Sequence, residues 1–298
     1  MEKTIESFDG TYIWYRSIGR KGAPIILCDG LGCDGFIWKY FIEDFAPTYR
    51  LFHWNYRSHG FSSQPKKRAN LGIEANVRDL QNVIADSGIR QKIILAGHSL
   101  GVQVALEYYR QFPNKVVALL IFNGSYGHVL SHVHNTDLLK KSVPGLSFFA
   151  KKAPKAVQFA WKNIFGSAVA PAFANLFEIN ASMSSEEDVA PYFRHLKSLN
   201  PEIFFETLAR VADHTVEDFL PKIAVPTMIT ASEKDKFTPF RFSRRMHRLI
   251  PDSELLLLPN GSHIGMLEFP EIVNTATKKF LATHLKKKVK TKTVNRSH

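Results

Sequence analysis

One stretch, residues 92–101, limits what this chain can fold into more than any other. It is an apolar run of strand length that ends in Gly97-His98-Ser99-Leu100-Gly101. Apolar residues at helical spacing, from 104 to 109, follow at once. A short apolar run bounded by glycine predicts a buried strand, and the spacing after it predicts a helix. The stretch therefore predicts a tight strand–turn–helix unit with Ser99 at the turn.

Ser99 is the residue that such a turn presents. The residues two positions before and after it, Gly97 and Gly101, have no side chain that would crowd the turn. The helix that follows supplies N–H groups and the positive end of a dipole, and both stabilise developing negative charge. The pattern therefore favours a reactive serine. The alternative is an ordinary turn in which Ser99 is only a helix N-cap.

Strand-like and helix-like segments alternate on both sides of this unit. The predicted strands are 2–8, 11–16, 23–28, 49–54, 92–97, 116–122, 226–231 and 253–258, with 73–87 the clearest helix between them. This alternation predicts an α/β fold with a mostly parallel sheet and helices on both faces. The expected core comprises residues 1–125 and 219–285.

The alternation stops between residues 126 and 218, where the sequence shows helix-like pieces and no good strand. We expect this segment to be a helical cap over the carboxyl edge of the sheet. Its large apolar residues are expected mostly to form the core of the cap, and a minority to line an apolar substrate pocket. They are Leu146, Phe148, Phe149, Phe159, Trp161, Phe165, Phe173, Phe177, Phe193, Phe204 and Phe205.

Composition narrows the class of protein. A hydrophobic share of 45% and a charged share of 22% are typical of globular domains. The sequence has neither a run of transmembrane length nor an apolar leader at its start. Its cysteines, Cys28 and Cys33, fit neither a metal pair nor a disulfide scaffold. We therefore expect reduced thiols and a cytoplasmic location.

The formal net charge of +12 is unevenly distributed. Half of it lies in residues 286–298, which contain no acidic residue and are expected to form a disordered, solvated tail. A weak contact of this tail with an anionic membrane surface stays open. Nucleic-acid binding is not expected, because no recognised motif accompanies the charge.

Three loops that follow buried strands each contain a group suited to serine chemistry. They contain Ser99, Asp235 and His263, in that order. A serine hydroxyl needs a base within hydrogen-bond reach, and the base needs an orienting acid. Because working loops lie beyond the carboxyl ends of the strands, we expect these three side chains to meet. Asp213 with His214, and Asp218, are the competitors. His98, next to Ser99 in sequence, is expected to point away from it. His59 follows a strand and is expected to be structural, with a place at the border of the pocket as the alternative.

Acyl transfer also needs hydrogen-bond donors for the oxyanion. The backbone N–H of Leu100, directly after the serine, is one candidate. The other is the N–H of Leu31, in the glycine-rich segment 29–35 that follows the third predicted strand.

The chain resembles serine esterases and lipases of the α/β-hydrolase fold that carry a helical cap. The resemblance rests on Gly97 to Gly101, on Pro226 to Asp235, on His263, and on residues 55–62, which are similar to the family's Asp-x-Arg-Gly-His-Gly-x-Ser loop. Asn55 and Ser58 depart from that loop. Asp29 stands where the family usually has histidine, so we expect an extra carboxylate to disfavour anionic substrates or to alter the loop.

The resemblance implies a serine hydrolase that cleaves a carboxylic ester with a short to medium, uncharged acyl chain. No metal or organic cofactor is expected, and the partner is a small apolar ester bound to a monomer or dimer. Carbon–carbon bond hydrolysis, lactone opening and peroxyacid formation use the same triad and stay open. So does a ligand receptor on this fold that does not turn its ligand over.

Overall fold

A computed structural model describes residues 1–128, 130, 138–166 and 184–294. Eight strands form one sheet. They are β1 (Glu2–Glu6), β2 (Tyr12–Ile18), β3 (Pro24–Cys28), β4 (Arg50–Trp54), β5 (Ile93–Ser99), β6 (Val116–Gly124), β7 (Thr227–Ser232) and β8 (Ser253–Leu258). Their order across the sheet is β1-β2-β4-β3-β5-β6-β7-β8. β2 pairs antiparallel with both β1 and β4, and all other pairs are parallel, which confirms the predicted sheet.

Helices cover both faces of this sheet. The helices of the core are α1 (Lys39–Phe45), α2 (Ile73–Asp86), α3 (Leu100–Gln111), α8 (Phe240–Leu249), α9 (Gly265–Glu268) and α10 (Pro270–Val294). The middle strands β3, β5 and β6 are apolar almost throughout and buried on both faces. They place one apolar cluster under α2 and α3 and a second under α1 and α10. Such strands are typical of a parallel sheet between two helical layers.

The segment between β6 and β7 supplies four further helices among the described residues. They are α4 (Leu138–Lys152), α5 (Pro154–Gly166), α6 (Glu186–Ser198) and α7 (Pro201–Val211). Asn200 caps α7 by accepting from the N–H groups of Glu202 and Ile203. These helices agree with the predicted cap, whose limits at 126 and 218 stay predictions.

The structure also bears on the expectations for the C-terminal segment, the cysteines and membrane-spanning helices. Helix α10 continues to Val294 and so enters the segment 286–298 that was expected to be disordered. Both Cys28 and Cys33 are free and buried. No helix in the described part of the chain is long and apolar enough to cross a bilayer.

The apolar residues of the cap are not distributed as expected. Trp161, Phe165 and Phe193 are buried. The expectation of a core position is wrong for Leu146, Phe148, Phe149 and Phe159, which are exposed. The helices bearing these four residues turn other positions, such as Val143 and Ala150, inward. Phe173 and Phe177 lie outside the described residues.

Candidate active site

The turn at Ser99 forms the centre of the site. β5 ends at Ser99 and α3 begins at Leu100, so the serine sits between strand and helix with φ 53° and ψ −118°. Such a conformation costs a non-glycine residue about 1–3 kcal/mol. A Cβ on Gly97 would lie 2.5 Å from the Gly101 carbonyl oxygen, and one on Gly101 only 2.0 Å from that of Cys28. The strained turn therefore depends on glycine at both positions.

The structure brings Ser99, His263 and Asp235 together in a chain of hydrogen bonds. His263 Nε2 lies 2.9 Å from Ser99 Oγ, and His263 Nδ1 lies 2.9 Å from Asp235 Oδ2. Asp235 follows β7 and His263 follows β8, so both loops leave the carboxyl edge at which Ser99 ends β5. The His263 side chain is 14% exposed and that of Asp235 is fully buried. The serine side of the imidazole is therefore the side that remains in reach of a small molecule.

The surroundings of Asp235 keep its carboxylate ionised and fixed. Oδ1 accepts the N–H groups of Phe237 and Thr238, and Oδ2 accepts the Thr238 hydroxyl at 2.7 Å. Burial alone would raise the pKa of Asp235, but the adjacent His263 and the hydrogen bonds from Thr238 lower it to about 2. An ionised carboxylate at Nδ1 holds the Nδ1–H tautomer, which leaves Nε2 free to accept the serine proton.

Asn123 is part of the site, and the sequence analysis did not identify it. Its side-chain amide donates to Ser232 Oγ at 2.8 Å, to Asp235 Oδ2 at 3.1 Å and to the Ser262 carbonyl at 3.2 Å. It thereby joins the ends of β6 and β7 to the loop of His263. Its φ of 43° is left-handed, a conformation that asparagine tolerates better than most residues. An Asn-Gly pair closing a buried strand was the available signal.

The competing acids lie away from His263. Asp213 is exposed and pairs with Lys140 at 2.9 Å, and Asp218 is also exposed. His214 contacts Gln103, with 2.8 Å between Nδ1 and Oε1.

His98 is buried beneath the site. Its Nε2–H donates to the backbone carbonyl of His263 at 3.0 Å, so it holds the loop of the base. Burial first, and then the neighbouring His263, lower the pKa of His98 to about 4. His98 is therefore neutral at pH 7 and acts on the His263 loop rather than on Ser99.

Residues 29–33 bring their backbone against the serine. A Cβ on Gly30 would lie 3.1 Å from both Ser99 Cβ and His98 Nδ1, so a larger residue here would crowd the serine. Leu100, the first residue of α3, directly follows Ser99 in the chain, and Leu31 directly follows Gly30, which approaches Ser99 in space. Their role as oxyanion donors stays a prediction.

The expectation that Asp29 disfavours anionic substrates is wrong, because its carboxylate lies inside the protein. Trp38 Nε1 donates to Oδ1 at 2.6 Å, and His53 Nε2 lies 2.8 Å from Oδ2. The Tyr56 hydroxyl donates to the Asp29 carbonyl at 2.8 Å. Because these partners enclose the fully buried Asp29 side chain, it adds no charge where a substrate would bind. It fixes the start of segment 29–33 instead.

His59 fixes the other end of the same segment. Its Nε2 accepts the Gly32 N–H at 3.0 Å, and its Nδ1–H donates to the Arg57 carbonyl at 3.0 Å. Burial, and then the neighbouring His195, lower the pKa of His59 to about 4, so the ring stays a neutral acceptor at pH 7. His59 is thus structural, as expected, although it acts on the loop of the predicted oxyanion donor.

The two departures in residues 55–62 fit this loop. Asn55 Oδ1 accepts the Phe61 N–H at 3.1 Å, as an aspartate could. Ser58 adopts φ 64° at the position where the family has glycine. The loop therefore keeps its turn and bears the strain at Ser58.

Metal ligation finds no support in the part of the chain that the structure describes. No group of three or more His, Cys, Asp or Glu side chains is arranged there to hold a metal ion. The absence of a cofactor stays a prediction.

Known proteins resemble this chain over most of its length. Residues 23–270 match the family model described as the alpha/beta hydrolase fold. A proline iminopeptidase of Pestalotiopsis fici is 24% identical, over 94% of this chain and 98% of that protein. The solved structure of an esterase from Exiguobacterium antarcticum superposes with a TM-score of 0.77 at 22% identity, over 95% of this chain and 100% of the other.

An enol-lactonase from Burkholderia xenovorans shares the same architecture. Its structure superposes with a TM-score of 0.72 at 16% identity, over 94% of this chain and 100% of the other. With the matching family model, the eight-stranded sheet and the helices on both of its faces, the chain belongs to the alpha/beta hydrolase fold family.

Proposed function

We propose that the protein is a serine hydrolase that cleaves carboxylic esters through an acyl-enzyme on Ser99. The observation that carries the proposal is the continuous contact from Ser99 Oγ to His263 Nε2 and from His263 Nδ1 to Asp235 Oδ2, each 2.9 Å long. A hydroxyl, an imidazole and a buried carboxylate in this order form the arrangement that activates a serine.

The reaction uses these residues in two half-reactions. His263 Nε2 takes the Ser99 proton as Oγ attacks the ester carbonyl, and the backbone N–H groups of Leu31 and Leu100 stabilise the oxyanion. His263 then gives that proton to the departing alkoxide, which leaves an acyl group on Ser99. In the second half-reaction His263 deprotonates water, which attacks the acyl carbonyl. Collapse returns the proton to Ser99 and releases the carboxylic acid. Each oxyanion donor contributes on the order of 3 kcal/mol.

Apolar side chains around the site favour an uncharged acyl chain of short to medium length. Gly32 packs against three apolar side chains of the cap. A Cβ added to it would lie 2.8 Å from Leu196 Cδ2 and 3.5 Å from the rings of Tyr192 and Phe204. Phe237 lies on the other side, with its ring centroid 5.3 Å from that of His263. Because Asp29 is buried, its carboxylate adds no charge to these apolar surroundings. An apolar wall gives a charged acyl group no partner for its desolvated charge.

Labelling with a fluorophosphonate probe tests the proposal. We expect stoichiometric label on Ser99 and none in Ser99→Ala, with ester turnover reduced by at least about a thousandfold. Ser125→Ala, which changes the serine directly after β6, is the matched control and should keep both label and turnover. An unlabelled but folded wild type, or turnover that survives Ser99→Ala, would remove the acyl-enzyme from consideration.

A substrate panel then identifies the class of bond. The panel contains esters of increasing acyl length, lactones, diketones and prolyl amides. Esters, lactones and prolyl amides are the bonds named for the similar proteins, and diketones test the carbon–carbon alternative. We expect the highest kcat/KM for a neutral ester. A labelled protein that turns over none of these would favour the ligand-receptor alternative.

A further inference from the structure

The cap exposes large apolar side chains on its outer surface. Leu146, Phe148, Phe149 and Phe159 are 40%, 57%, 64% and 72% exposed. The rings of Phe148 and Phe149 contact each other edge-on, with centroids 5.9 Å apart. Exposed apolar side chains are unremarkable singly, but a cluster on adjacent helices marks an interaction surface.

Lysines flank these apolar residues along both helices. On α4, Lys141, Phe148 and Lys152 recur at spacings of seven and four residues, which places them on one exposed stripe. On α5, Lys155, Phe159 and Lys162 form a stripe with spacings of four and three. Lys152 Nζ lies 5.8 Å from the centroid of the Phe148 ring. Together with Leu146 and Phe149, these six residues form what we call the aromatic–lysine face: Lys141, Leu146, Phe148, Phe149, Lys152, Lys155, Phe159 and Lys162.

The charge of this face has one sign. Residues 138–166 contain six lysines and no aspartate or glutamate. Two of these lysines lie near acids of the segment after α6: Lys140 pairs with Asp213 at 2.9 Å, and Lys151 lies 3.6 Å from Glu206. On the core, by contrast, exposed cations such as Lys3 and Lys278 have acids beside them. Among the described residues, Lys141, Lys152, Lys155 and Lys162 make no ion pair, so α4 and α5 present positive charge around the exposed rings.

We infer that the aromatic–lysine face docks the protein on an anionic lipid bilayer. Phenylalanine rings gain free energy when they enter the boundary between head groups and acyl chains. Lysine stems then lie along that boundary while their ammonium groups reach lipid phosphates. Nucleic acid would match the charge but would leave the phenylalanine and leucine side chains in water. The inference is independent of the proposed function, and it assigns membrane contact to the cap rather than to the basic tail.

Sedimentation with vesicles tests this inference on the full-length chain. We compare vesicles of phosphatidylcholine alone with vesicles that contain about one third phosphatidylglycerol, at low and at raised salt. The expected result is binding to the anionic vesicles that weakens as salt is raised. We expect Phe148→Ser/Phe149→Ser/Phe159→Ser and Lys152→Glu/Lys155→Glu/Lys162→Glu each to lower the partition constant by about tenfold or more.

Matched variants separate this face from the rest of the surface. Phe61→Ser removes a phenylalanine that is 76% exposed on the core, and Lys21→Glu/Lys92→Glu reverses two exposed charges there. Lys286→Gln/Lys287→Gln/Lys288→Gln removes charge from the tail. We expect all three to bind nearly as the wild type does. Every variant is checked by thermal unfolding, and hydrolysis of a water-soluble ester should be unchanged in the cap variants.

Three results would overturn the inference. The first is a wild type that binds neither kind of vesicle. The second is binding that survives both cap variants but is lost with the tail lysines. The third is self-association in analytical ultracentrifugation that the phenylalanine substitutions abolish, because the face would then be an interface between copies of the chain.

Discussion

At the residue scale, Asn123 connects Asp235 to two other segments of the site. One amide group satisfies the carboxylate, a serine hydroxyl and a carbonyl from three separate segments of the chain. Amide donors beside a buried carboxylate are costly to lose, because the carboxylate then has an unmet acceptor position. Asn123 is thus a positioning residue that acts through Asp235 and through the loop of His263.

We predict that Asn123→Gly lowers kcat by about tenfold to a hundredfold while KM changes little. Glycine keeps the left-handed conformation, so the loss comes from the missing donor and not from backbone strain. Asn123→Asp keeps the shape but adds a second negative charge beside the triad, which favours the protonated, inactive imidazole of His263 and so moves the acidic limb of the kcat profile to higher pH. Equal pH profiles for Asn123→Asp and the wild type would contradict this role.

At the scale of elements, the packing of α3 against β3 fixes the serine turn. The contact has no space for a side chain. A Cβ on Gly101 would lie 2.0 Å from the carbonyl oxygen of Cys28 and 2.7 Å from that of Asp29. Backbone atoms cannot yield as a flexible side chain can. We predict that Gly101→Ala loses several kcal/mol of unfolding free energy, or fails to fold, and this is measured by urea denaturation.

Gly145→Ala in α4 is the matched helical control. Nothing lies within 4 Å of its added methyl group, so the change should be neutral or stabilising by up to about 1 kcal/mol. Equal losses for the two glycines would mean that close packing at the turn is not what Gly101 provides.

The elements also show what the sequence could and could not reveal. Ser99, Asp235 and His263 were predictable because each comes at the carboxyl end of a predicted strand, and parallel strands bring such ends to one edge. The strand before His263, β8, was expected to be buried but is mostly half-buried or exposed. Asn123 was not, because its partners lie more than a hundred residues away in sequence. Phe148 and Phe159 were misplaced because an apolar residue in a helix does not itself indicate which side of the helix is covered. Asp29 was misjudged because its partners, Trp38 and His53, come from other elements.

At the scale of the whole molecule, buried neutral histidines join its layers. His98 joins the sheet to the His263 loop, and His59 joins the loop after β4 to segment 29–33. His195 on the cap packs against His59, with ring centroids 5.8 Å apart, and lies 3.6 Å from Asp34. Burial is the main cause that lowers the pKa of each of the three histidines from 6.5 to about 4.

This arrangement predicts acid sensitivity within a defined range of pH. Above pH 6.5 the three histidines are neutral in both the folded and the unfolded chain, so they contribute no pH dependence. As pH falls from 6.5 to about 4, the unfolded chain takes up protons that the folded chain cannot, and the unfolding free energy falls by up to about 3 kcal/mol for each histidine. Below that range Asp235 adds a further loss, because its folded pKa of about 2 lies below its ordinary 3.8.

Urea unfolding at stepped pH measures this dependence. His195→Gln removes one of the three groups and should flatten the decline between pH 6.5 and about 4. His247→Gln changes an exposed histidine of α8 and should leave the slope as it is in the wild type. His195 is buried and His247 is exposed, so a decline that is equally steep in both variants would show that burial of His195 in the cap does not set the acid stability of the fold.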